Sequence, residues 1–261
     1  MQATRLYAGD ALSVHLYRCS AGPADRPFAE VHARHSLSYV RRGSFGCRTL
    51  GTEHHLVPGA VLVGRPGQEY MATHEHDCGG DECVSITVSP ELAETLFPCT
   101  PPVCIPPLAE LMVAAEARDH LATEEAALFF AERAARLVSG VDTHAVVVDA
   151  RSRRRAIDAA LWLEENAAEP VGLEAAARRS GLSPFHFLRL FKRVVGVTPH
   201  QYLLRVRLRR AAKLLTRGGM AVTEVALECG FADLSNFVRT FRRAAGVPPA
   251  IFSKRHAAAL A

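Results

Sequence analysis

Two arginines that lie 50 positions apart, in segments that match each other, have side chains suited to nucleic-acid recognition. Arg189 and Arg239 are each followed, three and four positions later, by two more basic residues. Residues at these spacings share one face of a helix, so each segment predicts a cationic helical face. The planar guanidinium fork fits a phosphate group or the edge of guanine. Binding of nucleic acid is therefore the first chemistry that the sequence indicates.

The elements that hold these arginines form an internal repeat between residues 173 and 252. A shift of 49 places Gly181 on Gly230, and a shift of 50 aligns the residues that follow. An internal repeat predicts one supersecondary unit in each copy. The pairs aligned at a shift of 50 include Phe187 with Phe237, Phe191 with Phe241, Gly196 with Gly246, Pro199 with Pro249 and Tyr202 with Phe252.

Each copy predicts a helix, a glycine turn and a second helix. Gly181 is expected to end the first helix, and the pair Ser183-Pro184 to begin the second, since serine caps a helix N-terminus and proline is favoured at its first position. Asp233 takes the capping position in the second copy. Two helices joined by such a turn are typical of the helix-turn-helix, whose second helix enters the DNA major groove. We therefore predict helix-turn-helix units over residues 173–195 and 222–245.

The outward face of each second helix is expected to contact DNA. Arg189 and Arg239 are predicted to bind guanine or phosphate, while Ser235 and Asn236 can hydrogen-bond a base edge or a phosphate. Apolar residues on this face suit the methyl group of thymine, and the phenylalanines of the opposite face are assigned to the core. The predicted DNA-binding set is Phe185, His186, Leu188, Arg189, Lys192, Arg193, Leu234, Ser235, Asn236, Val238, Arg239 and Arg242.

Charge is divided unevenly between the two halves of the 261-residue chain. Residues 151–261 contain 20 Lys and Arg against 8 Asp and Glu, a net charge of +12, whereas residues 1–150 contain 11 against 19, a net charge of −8. A basic half is the electrostatic footprint of a nucleic-acid binder, and phosphate would repel the acidic half. The alternative is a helical bundle with a solvated charged face, which the repetition of the arginine-rich face disfavours.

The repeat also resembles a known family. The runs GLSPFHFLRLFKRVVGVTPHQYLLRVRLRRAAKLL and GFADLSNFVRTFRRAAGVPPAIF are similar to the DNA-binding region of AraC/XylS-type transcription regulators, and the similarity extends over residues 153–256. The pair Phe252-Ser253 departs from the family, which often has Tyr-Arg there. The resemblance implies a sequence-specific regulator, an activator by family habit, whose partners are double-stranded DNA, RNA polymerase and a second copy in a homodimer.

The first 97 residues predict short strands, because apolar and polar residues alternate and Gly and Pro turns recur at short intervals. The runs EVHARHSLSYVRRG, LVPGAVLVGRPGQEY and DECVSITVSP resemble the cupin-like barrel that precedes the DNA-binding region in many family members. The predicted fold class is thus α+β with two domains, a cupin-like β-barrel with dimerisation-type helices and an all-α double helix-turn-helix domain. The predicted boundaries are 1–139 for the sensor domain (helices at 108–117 and 124–137), 140–150 for the linker, 151–256 for the DNA-binding domain and 257–261 for the tail.

A small-molecule pocket inside the barrel is the predicted effector site. Strand residues at alternate positions share one face, so Val14, Leu16, Leu37, Ile86 and Val88 are expected to point inward with the strand residues of the effector set. The predicted effector-binding set is His32, His35, Tyr39, Val61, Val63 and Tyr70.

Histidines and cysteines in the acidic half suggest a metal site, because neutral imidazole and thiolate suit zinc or copper. No Cys-x-x-Cys pair is present, so loop residues without a metal are the main alternative. Redox sensing by Cys78 and Cys83 is a further alternative, which the acidic surroundings disfavour. The predicted metal-ligand set, with zinc as the candidate cofactor and metal as a possible effector, is His32, His35, His74, His76, Cys78 and Cys83.

Two other functions stay open at this point. A metal-dependent cupin-type enzyme with a helical appendage requires a full metal triad, and Tyr70 stands where metal-binding cupins usually have a histidine. A non-specific architectural DNA binder has no need of two different reading faces. Seven irregularly spaced cysteines, no apolar leader and no apolar run of membrane length predict a cytoplasmic protein with reduced thiols and no membrane partner.

Overall fold

The computed structural model describes residues 1–74, 80–97, 103–108, 127–128, 130–132, 134–135 and 148–257. Strands dominate up to residue 105, and every described residue from 150 onward lies in a helix or a connecting turn. The α+β fold class with a C-terminal double helix-turn-helix is therefore confirmed. Most of the predicted linker and of the predicted helices at 108–117 and 124–137 lies outside the described residues. No described helix is long and apolar enough to cross a membrane.

The N-terminal domain consists of two antiparallel sheets that pack face to face. The six-stranded sheet has the order β1-β2-β9-β4-β7-β10, and the four-stranded sheet has the order β3-β8-β5-β6. Side chains from both sheets meet in one apolar cluster that includes Val40, Leu62, Phe45 and Leu56. The strands are β1 Gln2–Ala8, β2 Leu12–Cys19, β3 Phe28–Val31, β4 Ser36–Arg42, β5 Phe45–Thr49, β6 Thr52–Leu56, β7 Val61–Gly64, β8 Glu69–Thr73, β9 Asp81–Val88 and β10 Cys104–Ile105.

The residues expected inside the barrel lie on the opposite face of the six-stranded sheet. Leu37, Val61 and Val63 are buried with Tyr39 against helix α1 (Pro90–Leu96) and the helical residues between 127 and 135. The ring centroids of Tyr39 and Phe130 are 5.6 Å apart. The prediction of their orientation was wrong because helices cover this sheet on its outer side. Both faces are then buried, and alternation alone cannot tell one from the other.

The described residues of the predicted helix at 124–137 pack into the core of a single chain. Ala127, Ala131 and Ala134 are fully buried with Phe130 against the six-stranded sheet. Small side chains allow this close approach of helix and sheet. The described part of the segment therefore has an intrachain role, and its alanine face carries no argument for a dimer.

The C-terminal domain is a chain of seven helices within residues 148–257. The first begins one residue before the predicted domain boundary, where the Asp149 carboxylate accepts a hydrogen bond from Ser152 N at 2.9 Å. Two apolar clusters, one for each repeat, form its core. The helices are α2 Ala150–Glu165, α3 Leu173–Arg179, α4 Pro184–Val195, α5 Pro199–Arg217, α6 Val222–Glu228, α7 Leu234–Ala245 and α8 Pro249–Ala257.

The two copies of the repeat have the same local structure. Helices α4 and α7 both contain 12 residues and end at a glycine in the left-handed region, Gly196 with φ +82° and Gly246 with φ +78°. Their aromatic pairs also agree, since the ring centroids lie 5.5 Å apart in one copy and 5.6 Å apart in the other. Helix α5, with 19 residues, connects the copies and contacts helices of both. The predicted helix-turn-helix repeat is thus present in three dimensions.

Gly230, in the turn of the second copy, is expected to tolerate no side chain. Its φ is +80°, and an added Cβ would lie 2.6 Å from the Ala168 carbonyl oxygen. We expect Gly230→Ala to lower the free energy of unfolding by about 1–3 kcal/mol more than Gly246→Ala, because overpacking adds to backbone strain. Gly246 is the matched control, since it has a similar φ and its added Cβ meets no atom within 4 Å. Urea unfolding measures both variants, and equal losses would contradict the role of the Ala168 contact.

Candidate nucleic-acid interface

Helices α4 and α7 begin with different capping groups. The Ser183 hydroxyl accepts a hydrogen bond from His186 N and lies 3.0 Å from His186 Nδ1. The Asp233 carboxylate accepts from Ser235 N at 2.9 Å and from Asn236 N at 3.0 Å. A carboxylate at a helix N-terminus satisfies the amides and repels phosphate. The neutral start of α4 is therefore better suited to a phosphate contact than the start of α7.

The two outward arginines are each held by a neighbour on the same helix. The Arg189 guanidinium lies over the Phe185 ring, 5.6 Å from its centroid. Arg239 Nη2 donates to Asn236 Oδ1 at 3.1 Å, and that oxygen also lies 3.3 Å from Thr240 Oγ1. Both arginines remain exposed. Each guanidinium is thus oriented along the helix and keeps donors free for an incoming base or phosphate.

The other predicted DNA-binding residues share this accessibility. Leu188 and Val238 are half-buried, and the remaining ten members of the set are exposed. Phe185 is an exception to the usual burial of aromatic residues, with 63% of its surface exposed. On the opposite side of the helices the aromatic side chains of the repeat are fully buried, as the sequence predicts. The surface of α4 and α7 is therefore a mixed basic, polar and apolar face, which matches what base edges and phosphates require.

Not every arginine of the basic half belongs to this face. Arg209, only 7% exposed, forms an ion pair with Glu164, and Arg207 donates at 2.8 Å to the carbonyl oxygens of Ala167 and Glu169. These contacts join α5 to α2 and the turn that follows it. Sequence reasoning did not single out these structural arginines, although Arg209 follows directly on the inward Leu208 of α5.

The space between the two sheets contains a polar cluster. The Tyr70 hydroxyl donates to the Glu30 carboxylate, and the Tyr70 ring stacks on His32 with centroids 4.3 Å apart. Burial raises the pKa of Tyr70, and Glu30 raises it further. Burial lowers the pKa of His32, whose Nε2 is buried without a hydrogen-bond partner among the described residues. Gly64 lies against His32, where an added Cβ would be 2.3 Å from Nδ1.

The predicted effector set is divided between two places. His32 and Tyr70 belong to the cluster between the sheets, and sequence reasoning missed its third member, Glu30. Tyr39, with Val61 and Val63, lies under the helices on the other side of the six-stranded sheet. His35 stacks on Phe97 with centroids 6.2 Å apart, and burial lowers its pKa. The effector set is divided because the sequence prediction placed Tyr39, Val61 and Val63 on the wrong face of the six-stranded sheet.

The predicted metal ligands are likewise separated. Among the described residues, the one group of three possible ligands joins His74 to Cys19 and Asp81 and includes neither His32 nor His35. His76 and Cys78 lie outside the described residues. Cys83 contacts this group through Asp81 Oδ2 at 3.5 Å, and burial raises the pKa of its thiol. A buried, protonated thiol is poorly suited to redox sensing.

The first repeat contacts the β-sheet domain. The Tyr202 hydroxyl donates to the Pro58 carbonyl oxygen across a long 3.5 Å, whereas the matching residue of the second copy is Phe252 and has no hydroxyl. Gly196 lies against Pro106, where an added Cβ would be 2.7 Å from the proline Cβ. Val57 completes this contact by joining the apolar core of the first repeat.

An ion pair continues the contact between the domains. Arg153 Nη1 of α2 donates to Glu53 Oε2 of β6 at 2.6 Å, and Arg48 Nε lies 3.3 Å from Glu53 Oε1. The Arg153 and Glu53 side chains are 13% and 16% exposed. Helix α2 and the first repeat are thus fixed to the strands β5 and β6 and the turn that follows them, while an added Cβ at Gly246 of the second repeat would meet no atom within 4 Å.

Comparison with known proteins assigns this helical domain. Residues 176–255 match the family model described as a helix-turn-helix domain. The HTH-type transcriptional activator RhaS of Escherichia fergusonii is 44% identical over 88 residues, which are 34% of this chain and 32% of RhaS. The solved structure of a probable AraC family transcriptional regulator from Rhodopseudomonas palustris CGA009 is 30% identical, and the match covers 39% of this chain and 96% of that one with a TM-score of 0.37. Residues 176–255 thus form a helix-turn-helix domain that is similar to the corresponding domain of the activator RhaS.

The likeness to AraC/XylS proteins is concentrated in the C-terminal domain. An AraC-type structure from Chromobacterium violaceum is also 30% identical, over 42% of this chain and 97% of that one, with a TM-score of 0.39. The chain spans about a third of the length of the RhaS relatives it matches. These matches coincide with the double helix-turn-helix and leave the β-sheet domain to be interpreted from its own residues.

Proposed function

We propose that this protein is an AraC/XylS-type, sequence-specific DNA-binding transcription regulator, and that it is an activator, as its relative RhaS is named. The observation that carries the proposal is the duplicated reading helix. In both copies an exposed arginine is oriented by a neighbour on a helix whose other side is fixed in an aromatic core. Rigid support of this kind is what base readout requires.

The proposed binding mode places α4 and α7 in successive segments of the major groove on one side of B-DNA. Helix α5 has 19 residues, which at 1.5 Å per residue gives a connector roughly 28 Å long. Successive major-groove segments on one side of the duplex are about 34 Å apart, or one helical turn. One chain would then cover an asymmetric site of about two turns. Each half of that site is read by a different face, because the residues of α4 and α7 differ.

Selection of random duplexes by the purified full chain tests this proposal. A regulator with two different reading helices enriches a motif made of two unlike blocks. A non-specific architectural binder enriches no motif, and that result would refute sequence-specific recognition. Salt dependence separates the two further, because a binder that uses phosphate contacts alone loses affinity equally for all sequences as salt rises.

Effector control is proposed to start in the polar cluster between the sheets. Glu30, His32 and Tyr70 offer a carboxylate, an imidazole nitrogen and a hydroxyl in one place, which suits a polar small molecule. The cluster belongs to the domain that contacts the first repeat through Pro58, Pro106 and Glu53. A ligand that binds one arrangement of this domain more tightly would shift the equilibrium toward that arrangement and so change how α4 is presented to DNA. The shift is limited by the difference in the ligand's affinity for the two arrangements.

The remaining partners are proposed from the family resemblance. The resemblance implies a homodimer, contact with RNA polymerase and action in the cytoplasm. A dimer that binds DNA must leave the exposed faces of α4 and α7 uncovered. Native mass spectrometry of the full chain, with and without a selected duplex, distinguishes one copy per site from two.

The Arg153–Glu53 pair is predicted to couple the domains energetically. In a double-mutant cycle with Arg153→Gln and Glu53→Gln, we expect a coupling free energy of about 1 kcal/mol in urea unfolding, because both groups are largely shielded from water. The matched pair is Arg18 with Glu82, 2.9 Å apart within the β-sheet domain, where Arg18 is 54% exposed and screening is stronger. Zero coupling for Arg153 and Glu53 would show that the domains do not hold this contact in solution.

A further inference from the structure

Three side chains with the donor atoms of a zinc site meet at one end of the β-sheet domain. Cys19 is the last residue of β2, His74 directly follows β8, and Asp81 is the first residue of β9. His74 Nε2 lies 3.4 Å from Cys19 Sγ and 3.2 Å from Asp81 Oδ1. All three donor atoms lie within 4.8 Å of one another. A thiolate, an imidazole and a carboxylate are the ligand types that zinc takes in proteins.

The two separations that involve His74 suit a tetrahedral ion. With Zn–S at about 2.3 Å and Zn–N or Zn–O at about 2.0–2.1 Å, neighbouring ligand atoms of a tetrahedral zinc lie about 3.3–3.6 Å apart. The distances from His74 Nε2 to Cys19 Sγ and to Asp81 Oδ1 are close to that spacing. Side-chain adjustment of Cys19 and Asp81 about His74 would complete the three contacts to an ion.

The backbone brings the three residues together before any ion binds. Cys19 lies directly opposite Asp81 in the antiparallel pairing of β2 with β9. Gly80 has φ +89°, and an added Cβ there would lie 1.9 Å from the Cys19 carbonyl oxygen, so only glycine allows the turn to approach β2 so closely. Thr73 pairs with Gly46 in the four-stranded sheet. His74 thus comes from one sheet, and Cys19 and Asp81 come from the other.

The surroundings favour a cation. Cys83 Sγ lies 3.5 Å from Asp81 Oδ2, so it holds the carboxylate through the oxygen that is farther from the site and leaves Oδ1 for a metal. The guanidinium groups of Arg18 and Arg41 both pair with Glu82, at 2.9 and 3.4 Å, which offsets part of the positive charge beside the cluster. A cleft of about 560 Å³, lined in part by Cys19 and Asp81, gives solvent and ions access.

We propose that Cys19, His74 and Asp81 bind a zinc-type divalent cation and supply three of its ligands. The bound ion links the ends of β2 and β9 to the end of β8 and so fastens the two sheets together at this end of the domain. The site stands on these residues alone and does not depend on the proposed DNA recognition.

Metal titration of the full chain, freed of metal by a chelator, tests the site. We expect one Zn²⁺ per chain by calorimetry. With Co²⁺ as the probe, we expect the visible bands of a tetrahedral ion together with a thiolate-to-cobalt charge-transfer band. Cys19→Ser should abolish the charge-transfer band. His74→Gln and Asp81→Asn should weaken Zn²⁺ binding by more than the ~10–100-fold that loss of an outer-shell partner costs.

Matched controls keep the result interpretable. Cys104→Ser and His15→Gln remove the same side-chain types elsewhere in the six-stranded sheet and should leave stoichiometry and spectrum unchanged. Circular dichroism of each variant confirms that it is folded, and a selected duplex reports separately on DNA binding. Absence of stoichiometric Zn²⁺ binding by the folded chain, or a charge-transfer band that persists in Cys19→Ser, would overturn the proposal.

Discussion

Replacing Arg189 or Arg239 by alanine should weaken binding to a selected duplex by about 1–3 kcal/mol for each substitution, or roughly 5- to 150-fold in Kd. Each guanidinium is exposed and oriented, Arg189 by the Phe185 ring and Arg239 by the Asn236 side chain. A guanidinium that is already oriented loses little side-chain conformational entropy on binding. Its removal leaves a base edge or a phosphate without a hydrogen-bond donor. Fluorescence anisotropy at one fixed salt concentration measures both variants.

The pattern of loss is as informative as its size. Arg189→Ala should relax the preference for one block of the site, and Arg239→Ala should relax the other, because the two arginines lie on different helices. Arg26→Ala, an exposed arginine of the acidic domain, is the control and should leave affinity within error. Unchanged affinity in both Arg189→Ala and Arg239→Ala would remove these residues from the interface.

Replacing Phe241 by alanine should lower the free energy of unfolding by about 3–5 kcal/mol. Its side chain is fully buried, with ring centroids 5.6 Å from Phe237 and 5.1 Å from Phe252. Truncation leaves a cavity at the centre of the second repeat, whose small core offers few neighbours to fill it. Urea unfolding followed by circular dichroism measures the loss.

Phe185→Ala is the matched control for Phe241→Ala. It removes the same atoms from the outer face of α4, where the ring is 63% exposed. We expect its unfolding free energy to change by no more than about 0.5 kcal/mol, while affinity for a selected duplex falls because the ring orients Arg189 and belongs to the proposed DNA-binding face. A large stability loss in Phe185→Ala, or a small one in Phe241→Ala, would show that the buried and reading faces are wrongly assigned.

The repeat was predictable from the sequence because its signals are local. Gly181 and Gly230 mark turns, Ser183 and Asp233 cap helices, and aromatic residues recur at helical spacing. Each of these features acts within about one helical turn, so a single sequence suffices to read them. The exposure of Arg189 and the other reading residues follows from the same periodicity.

The sites in the β-sheet domain were harder to predict because they depend on pairing across the chain. Alternation of apolar and polar residues identified Tyr39 and Val61 as buried. Which face of the six-stranded sheet they lie on was not evident, because the helices that cover that face lie far along the sequence. His74 meets Cys19 across 55 positions, and nothing local to Cys19 signals that meeting. The contact of Tyr202 with Pro58 spans 144 positions, and nothing local to either residue signals it.

Hydroxyl-radical footprinting of the full chain on its selected duplex tests the central claim most directly. Two reading helices on a stiff connector predict two protected windows on one side of the duplex, with centres about 10–10.5 base pairs apart. Arg189→Ala should weaken protection in one window and Arg239→Ala in the other. A single window, or uniform protection without a fixed register, would contradict recognition of DNA by two helices of the same chain.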